Sequence, residues 1–178
     1  MKLRIALLAA AVLAVVAATS CTPKSTTSPP QTGSTPPVST LAGPLPDRGF
    51  KAQITLPDAP LKLRAGEKQN ITLKVKNTSD VIWWQRGGEK NDRPDNKFYI
   101  AAGNRWLDKD GKRTADTEGH KGIPKDLKPG DEAEVSLLIT APKEPGEYTI
   151  ELDMVQEGVA WFSDKGSPTT KAKVTVVK

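Results

Sequence analysis

This 178-residue chain has one histidine, His120, in the segment Glu118-Gly119-His120-Lys121-Gly122, and one cysteine, Cys21, far upstream. Nucleophilic catalysis needs a nucleophile, a base and an acid that orients the base. Ser163, His120 and Asp153 supply those types, but no nucleophile-elbow sequence surrounds the serine. A metal site needs several ligands at fixed spacing, and His120 has no cysteine or second histidine to share one. Asp108-Lys109-Asp110-Gly111 opens like a calcium loop, yet Lys112 takes the next ligand position and no glutamate falls at the twelfth. Asp-Gly reads better as a hairpin turn, which favours the positive φ that glycine adopts freely. Asp153 and Glu157 come near the end of an apolar-patterned stretch and read as surface carboxylates. The chain is accordingly read as non-catalytic, with no cofactor and no metal.

A second kind of chemistry is recognition. Trp84, Arg86, Arg93, Tyr99, Arg105, Trp106, Trp161 and Phe162 form an aromatic and arginine set of the kind enriched at binding hot spots. Trp84, Arg86, Arg93, Arg105 and Trp161 are the candidate partner-binding residues. Trp83, Trp106 and Tyr148 are assigned to the framework. Adjacent tryptophans on a strand point to opposite faces, so Trp83 is expected inside with Val81, and Trp84 outside. The polar segment 85–97, with two glycines and two arginines, reads as a recognition loop at one end of the fold.

Positioning such residues requires a folded domain, and the composition says where it begins. Lys2 and Arg4 precede an apolar run over residues 5–18 that ends at Ala18-Thr19-Ser20-Cys21. The run is too short to span a membrane and reads as a secretory signal. Its small-small-Cys ending resembles the bacterial lipobox. That resemblance implies cleavage before Cys21, lipidation of its thiol and acylation of its new amino group, and so an extracytoplasmic, membrane-anchored protein. Thr22, in place of an aspartate, favours the outer membrane where a cell has two membranes. Where there is one, the same signal gives the outer face of the cytoplasmic membrane. Residues 22–46 contain 19 Ser, Thr, Pro or Gly among 25, a composition that predicts a disordered linker. The chain therefore divides into a signal peptide at 1–20, a lipidated cysteine and tether at 21–46, and a domain at 47–178.

With its one thiol lipidated, the mature chain forms no disulfide, and its core rests on packing. Loss of the signal removes two of 26 Lys/Arg and none of 21 Asp/Glu, leaving +3, too slight a balance for nucleic-acid binding. Within the domain, apolar residues alternate at Ile71, Leu73 and Val75, again at Ala133, Val135, Leu137 and Ile139, and again at Tyr148, Ile150, Leu152 and Met154. Ala172, Val174 and Val176 repeat the pattern near the C-terminus. A period of two predicts half-buried strands. Residues 50–56 and 61–64 read as shorter edge strands, and 81–84 as another strand. Close-spaced turn signals and no sustained helical period predict an all-β, immunoglobulin-like antiparallel β-sandwich of about 7–9 strands. Pro145-Gly146-Glu147-Tyr148 reads as a tyrosine corner, in which a phenol hydroxyl returns to a nearby backbone group.

Asn77-Thr78-Ser79, Trp83, Trp106, the Pro129-Gly130 turn, Ala141-Pro142, Pro145-Gly146-Glu147-Tyr148 and Gly158-Val159-Ala160-Trp161-Phe162 occur in an order that resembles the Ig-like four-tryptophan (FW) domain of autophagy cargo receptors and bacterial proteins. Bacterial Ig-like modules ending in Val-x-Glu-Gly-Val-x-Trp-Phe are closer, matching residues 155–162. The resemblance covers about residues 60–178 and implies a recognition or spacer module. It transfers no ligand, and Trp84 has no counterpart in the receptor pattern. The function expected is a lipoprotein presenting a binding module for a protein or polysaccharide of the cell envelope. The alternatives are an assembly lipoprotein that docks by strand addition along residues 50–56, and an inhibitor that presents loop 85–97 to an envelope protease.

Overall fold

The computed structural model describes residues 42–60, 62–88, 95–114 and 118–178. Cys21, most of the tether and Arg93 lie outside them. The described residues form an all-β sandwich with nine strands: β1 Ala52–Thr55, β2 Lys62–Arg64, β3 Lys68–Asn77, β4 Ile100–Leu107, β5 His120–Gly122, β6 Glu132–Thr140, β7 Gly146–Gln156, β8 Ala160–Trp161 and β9 Thr170–Val177. One sheet has the order β1-β3-β6; the other runs β2-β9-β7-β4-β5, with β8 paired to β7. Pairing is antiparallel except between β2 and β9.

The alternating sequences bury one face, as their period requires. On β6, Ala133, Val135, Leu137 and Ile139 are buried, and the residues between them are exposed or partly so. β3 presents Ile71, Leu73 and Val75 to the same core, and Ile150, Leu152, Met154, Val174 and Val176 close it from the second sheet. Phe162 lies at its centre, with Phe50 at 5.0 Å and Trp83 at 5.2 Å between ring centroids, both edge to face. The Trp83 indole donates to Gly49 O at 2.9 Å, and the Trp106 indole donates to Thr140 O at 2.9 Å, which ties one sheet to the other. Tyr148 donates its hydroxyl to Glu144 O at 3.0 Å and meets Trp106 edge to face, the geometry of a tyrosine corner.

Three features depart from the sequence reading. Residues 81–84 form no strand; Trp83 makes an isolated bridge to Leu127, and Val81 is only half-buried. Their entry is set instead by Asn77, fully buried, whose amide donates to Val81 O and Leu127 O and whose Oδ1 accepts from the Ser79 amide and hydroxyl. Secondly, β4, unread in the sequence, is buried from Ile100 to Trp106 on both faces. Burial of both faces leaves no alternation to read. Thirdly, residues at the end of the tether are held: Gln156, fully buried, donates to Gly43 O and accepts from Leu45 N.

Candidate functional site

β4 shows why its outer face is covered. Ile100, Ala102 and Trp106 face the core, so Ala101, Gly103 and Arg105 point outward. Gly103 pairs with His120 on β5 and with Asp153 on β7, while Arg105 pairs with Glu151, which in turn pairs with Lys171 on β9. Trp161 pairs with Val155 and folds back over Gly103. A Cβ on Gly103 would stand 2.7 Å from Cη2 and 2.9 Å from Cζ3 of the indole. The bare Cα is what lets Trp161 lie against the sheet, the close approach for which glycine suits a strand interior.

Two groups hold the indole there. The Arg105 guanidinium stacks over its ring at 3.7 Å, and the His120 ring meets it edge to face at 5.0 Å. His120 Nδ1 lies 2.8 Å from Glu157 Oε1, so the β7–β8 turn is tied to the edge strand β5 across β4. Arg105 and Asp153 have only 3% and 1% of their side chains exposed. Arg105 Nη1 lies 3.4 Å from Ser163 Oγ, 3.5 Å from Asp153 Oδ2 and 3.7 Å from Glu151 Oε2. The first is a long hydrogen bond donated by the guanidinium to the hydroxyl, and the other two are close charge pairings. Asp153 is satisfied by backbone donors, Met154 N at 2.8 Å and Ser163 N at 3.2 Å.

The electrostatics follow from that burial. Desolvation pushes the Asp153 carboxyl above its ordinary range, against the hydrogen bonds of Ser163 and Met154 and the charge of Arg105. Burial acts on Glu151 in the same sense, but hydrogen bonds from Lys171 and Thr169, with the charges of Lys171 and Arg105, bring it below the ordinary range. The hydrogen bond to Glu157 raises His120 despite its partial burial.

Ser163, His120 and Asp153 thus come into one neighbourhood, but they are not wired as a relay. Asp153 is bonded to Ser163 and paired with Arg105, and the His120 nitrogen that a triad acid would orient is taken by Glu157. The surface role expected for Asp153 is corrected: it is buried, because Trp161 and Ser163 cover the outer face of β7 at that point. Among the described residues no group of three His, Cys, Asp or Glu is placed to hold a metal. Asp108-Gly111 forms a turn in which Asp108 Oδ1 accepts from Asp110 N and Lys112 N, with Gly111 at φ 77°.

Of the candidate binding residues, the structure brings Arg105 and Trp161 together. Trp84 and Arg86 belong to the 81–88 segment, which meets Leu127, Asp126 and Phe98. There Trp84 is half-buried, its indole N–H enclosed and without an acceptor among the described residues, and Arg86 is exposed. Asp153, Glu157 and Ser163, weighed in the sequence only for catalysis, complete the cluster with Gly103, which was not among the candidates. The Gly103 position carried a signal, a glycine two residues before an arginine and three before a tryptophan, but nothing in the sequence marked a strand around it.

The edge of β1, where strand addition would take place, is occupied. Ala52 N donates to Ser167 Oγ, Ser167 Oγ donates to Ala52 O, and Thr170 Oγ1 donates to Ile54 O. An incoming strand would find those main-chain groups already paired.

No family model matches the chain, and no curated protein does. Among solved structures it is similar to the CARDB domain of PF1109 from Pyrococcus furiosus, at 16% identity and a TM-score of 0.37, covering 71% of this chain and 93% of that one. It is also similar to Spo0M, a sporulation control protein of Bacillus subtilis, at 16% identity and a TM-score of 0.36, covering 72% of this chain and 49% of that one. A PapD-like domain of human CEP192 matches at 13% identity and a TM-score of 0.31, covering 78% of this chain and 93% of that one. Identities and TM-scores this low assign no family and transfer no ligand.

Proposed function

We propose that the chain is an extracytoplasmic lipoprotein, anchored through Cys21, whose sandwich is a non-catalytic binding module for a protein or glycan of the cell envelope. The contact face is the outer face of the β2-β9-β7-β4-β5 sheet around Trp161 and Arg105. One observation carries this reading: that outer face buries an arginine, an aspartate and part of a tryptophan. A sandwich needs apolar side chains only between its sheets. Burying charge on the outside opposes stability by several kcal/mol per ion before pairing offsets it. A fixed aromatic and arginine cluster there has the composition of a recognition surface.

The test is a crosslinking pull-down in native cells with the full lipoprotein as bait, run with Trp161→Ala and Trp84→Ala after thermal melts confirm that both fold. Loss of a specific partner with Trp161→Ala alone supports the outer face. Loss with Trp84→Ala alone moves the contact to the 81–88 segment. If no variant changes what is recovered, protein binding through these residues is wrong, and a polysaccharide array decides the glycan arm. Intact mass of the mature protein, with Cys21→Ser as control, tests the anchor: a chain starting at residue 21 without added acyl mass would overturn it.

A further inference from the structure

We infer that Arg105 is the floor of a carboxylate-binding site on the outer face of the β4–β7–β9 sheet. The guanidinium has two working edges. Its Nη1 end is used within the protein, facing Ser163, Asp153 and Glu151. Nε and Nη2 are buried and have no hydrogen-bond partner among the described residues. These two atoms form one side-on fork, the pair of parallel N–H donors that matches the two oxygens of a carboxylate. Stacking on Trp161 at 3.7 Å fixes the plane of that fork. A lysine at this position would carry the charge without the geometry.

A second cation stands beside it. Arg113 bridges to Leu107, which places it on the same face as Arg105. Burial first, and then the charge of Arg113, lower Arg105 from its ordinary value, against the charges of Asp153, Glu151 and Asp164. Two like charges held together with an unused donor fork are relieved by one anion shared between them. Arg105, Arg113 and Lys171 balance Glu151, Asp153 and Asp164, so the patch as a whole exerts little net pull. What selects the ligand is the fork, and a flat two-oxygen acid fits it better than a spherical anion. Both fork atoms are closed off from solvent, so the outer face has to open locally to admit the carboxylate.

The inference rests on the outer face being the contact surface and names the chemistry it recognises. The probe is sodium acetate, titrated against sodium chloride at matched ionic strength into the full mature lipoprotein in micelles. The readout is the Trp161 indole Nε1–Hε1 resonance, which lies against the Arg105 guanidinium and persists in Arg105→Lys. Acetate is expected to move it saturably and chloride is not. Arg105→Lys should remove acetate binding, and Arg113→Ala, at an exposed position, should weaken it about tenfold while leaving the fold intact. Glucuronate and N-acetylglutamate, run in parallel, distinguish an acidic sugar from an acidic side chain as the source of the carboxylate. A resonance that follows acetate no further than chloride, or a response unchanged in both variants, overturns the site. Should partner capture still depend on Trp161 in that case, the carboxylate assignment alone falls and the binding face stands.

Discussion

Trp161 and Phe162 are neighbours in the chain and serve opposite sides of the same sheet. Phe162 is fully buried between the sheets, edge to face with Phe50 and Trp83. Trp161 lies on the outside, half-buried, with a guanidinium on its ring and an imidazole at its edge. The inner aromatics supply stability that any sandwich needs. The outer one organises charged groups that the fold does not require. The same residue class, one position apart, thus separates the framework from the proposed contact face.

That contrast can be broken from the inside first. Phe162→Ala should open a cavity beside the rings of Phe50 and Trp83 and cost about 3–5 kcal/mol, read as a lowered denaturant midpoint with little change in slope. On the outer face, Arg105→Ala leaves Asp153 buried without its cation and should cost about 3 kcal/mol. If instead it costs nothing, the outer cluster is not an electrostatic unit. Gly103→Ala is subtler: its methyl collides with the indole, so Trp161 must lift, at about 1–3 kcal/mol, with a red-shifted tryptophan emission marking its exposure. An unchanged spectrum would show that the indole does not depend on the bare Cα.

The smallest effect concerns pH. His120 is raised above its ordinary value by the hydrogen bond to Glu157, with burial and Arg105 opposing, and the charges of Glu157 and Glu118 assisting. A group whose folded value exceeds its unfolded one adds stability that is complete below about pH 6.5 and is lost as pH rises through the folded value. The melting temperature of the native chain should therefore exceed that of His120→Ala by more at pH 5.5 than at pH 8.5. An equal gap at both would mean that the His120–Glu157 contact is not charge-dependent.

How much of this was legible varies by element. β3, β6 and β9 announce themselves because one face of each meets the core and the other meets water, or nearly so. β7 alternates in sequence although its end, Leu152 to Gln156, is buried on both faces. Tyr148 and the Asp108 turn are readable because each closes a contact within a few residues. β4 is not, since its outer face is also covered and its sequence, with Gly103, Asn104 and Arg105 in the middle, has neither alternation nor a uniform apolar run. Residues 81–84 mislead in the other direction: their bulk suggests a strand, but the buried amide of Asn77 takes the backbone groups through which the segment enters.

By itself, then, the sequence determined the class of fold and the faces of its alternating strands, because these depend on period and on local backbone chemistry. It also put Arg105 and Trp161 among the candidates by residue type. Only the tertiary structure decided that they touch, that Gly103 makes room for them, and that His120, Glu157 and Asp153 close around them. Those contacts join residues 37 to 58 positions apart. They are created by strand pairing across β5, β4, β7 and β8, and no periodicity along the chain encodes which outward side chains a sheet will bring side by side.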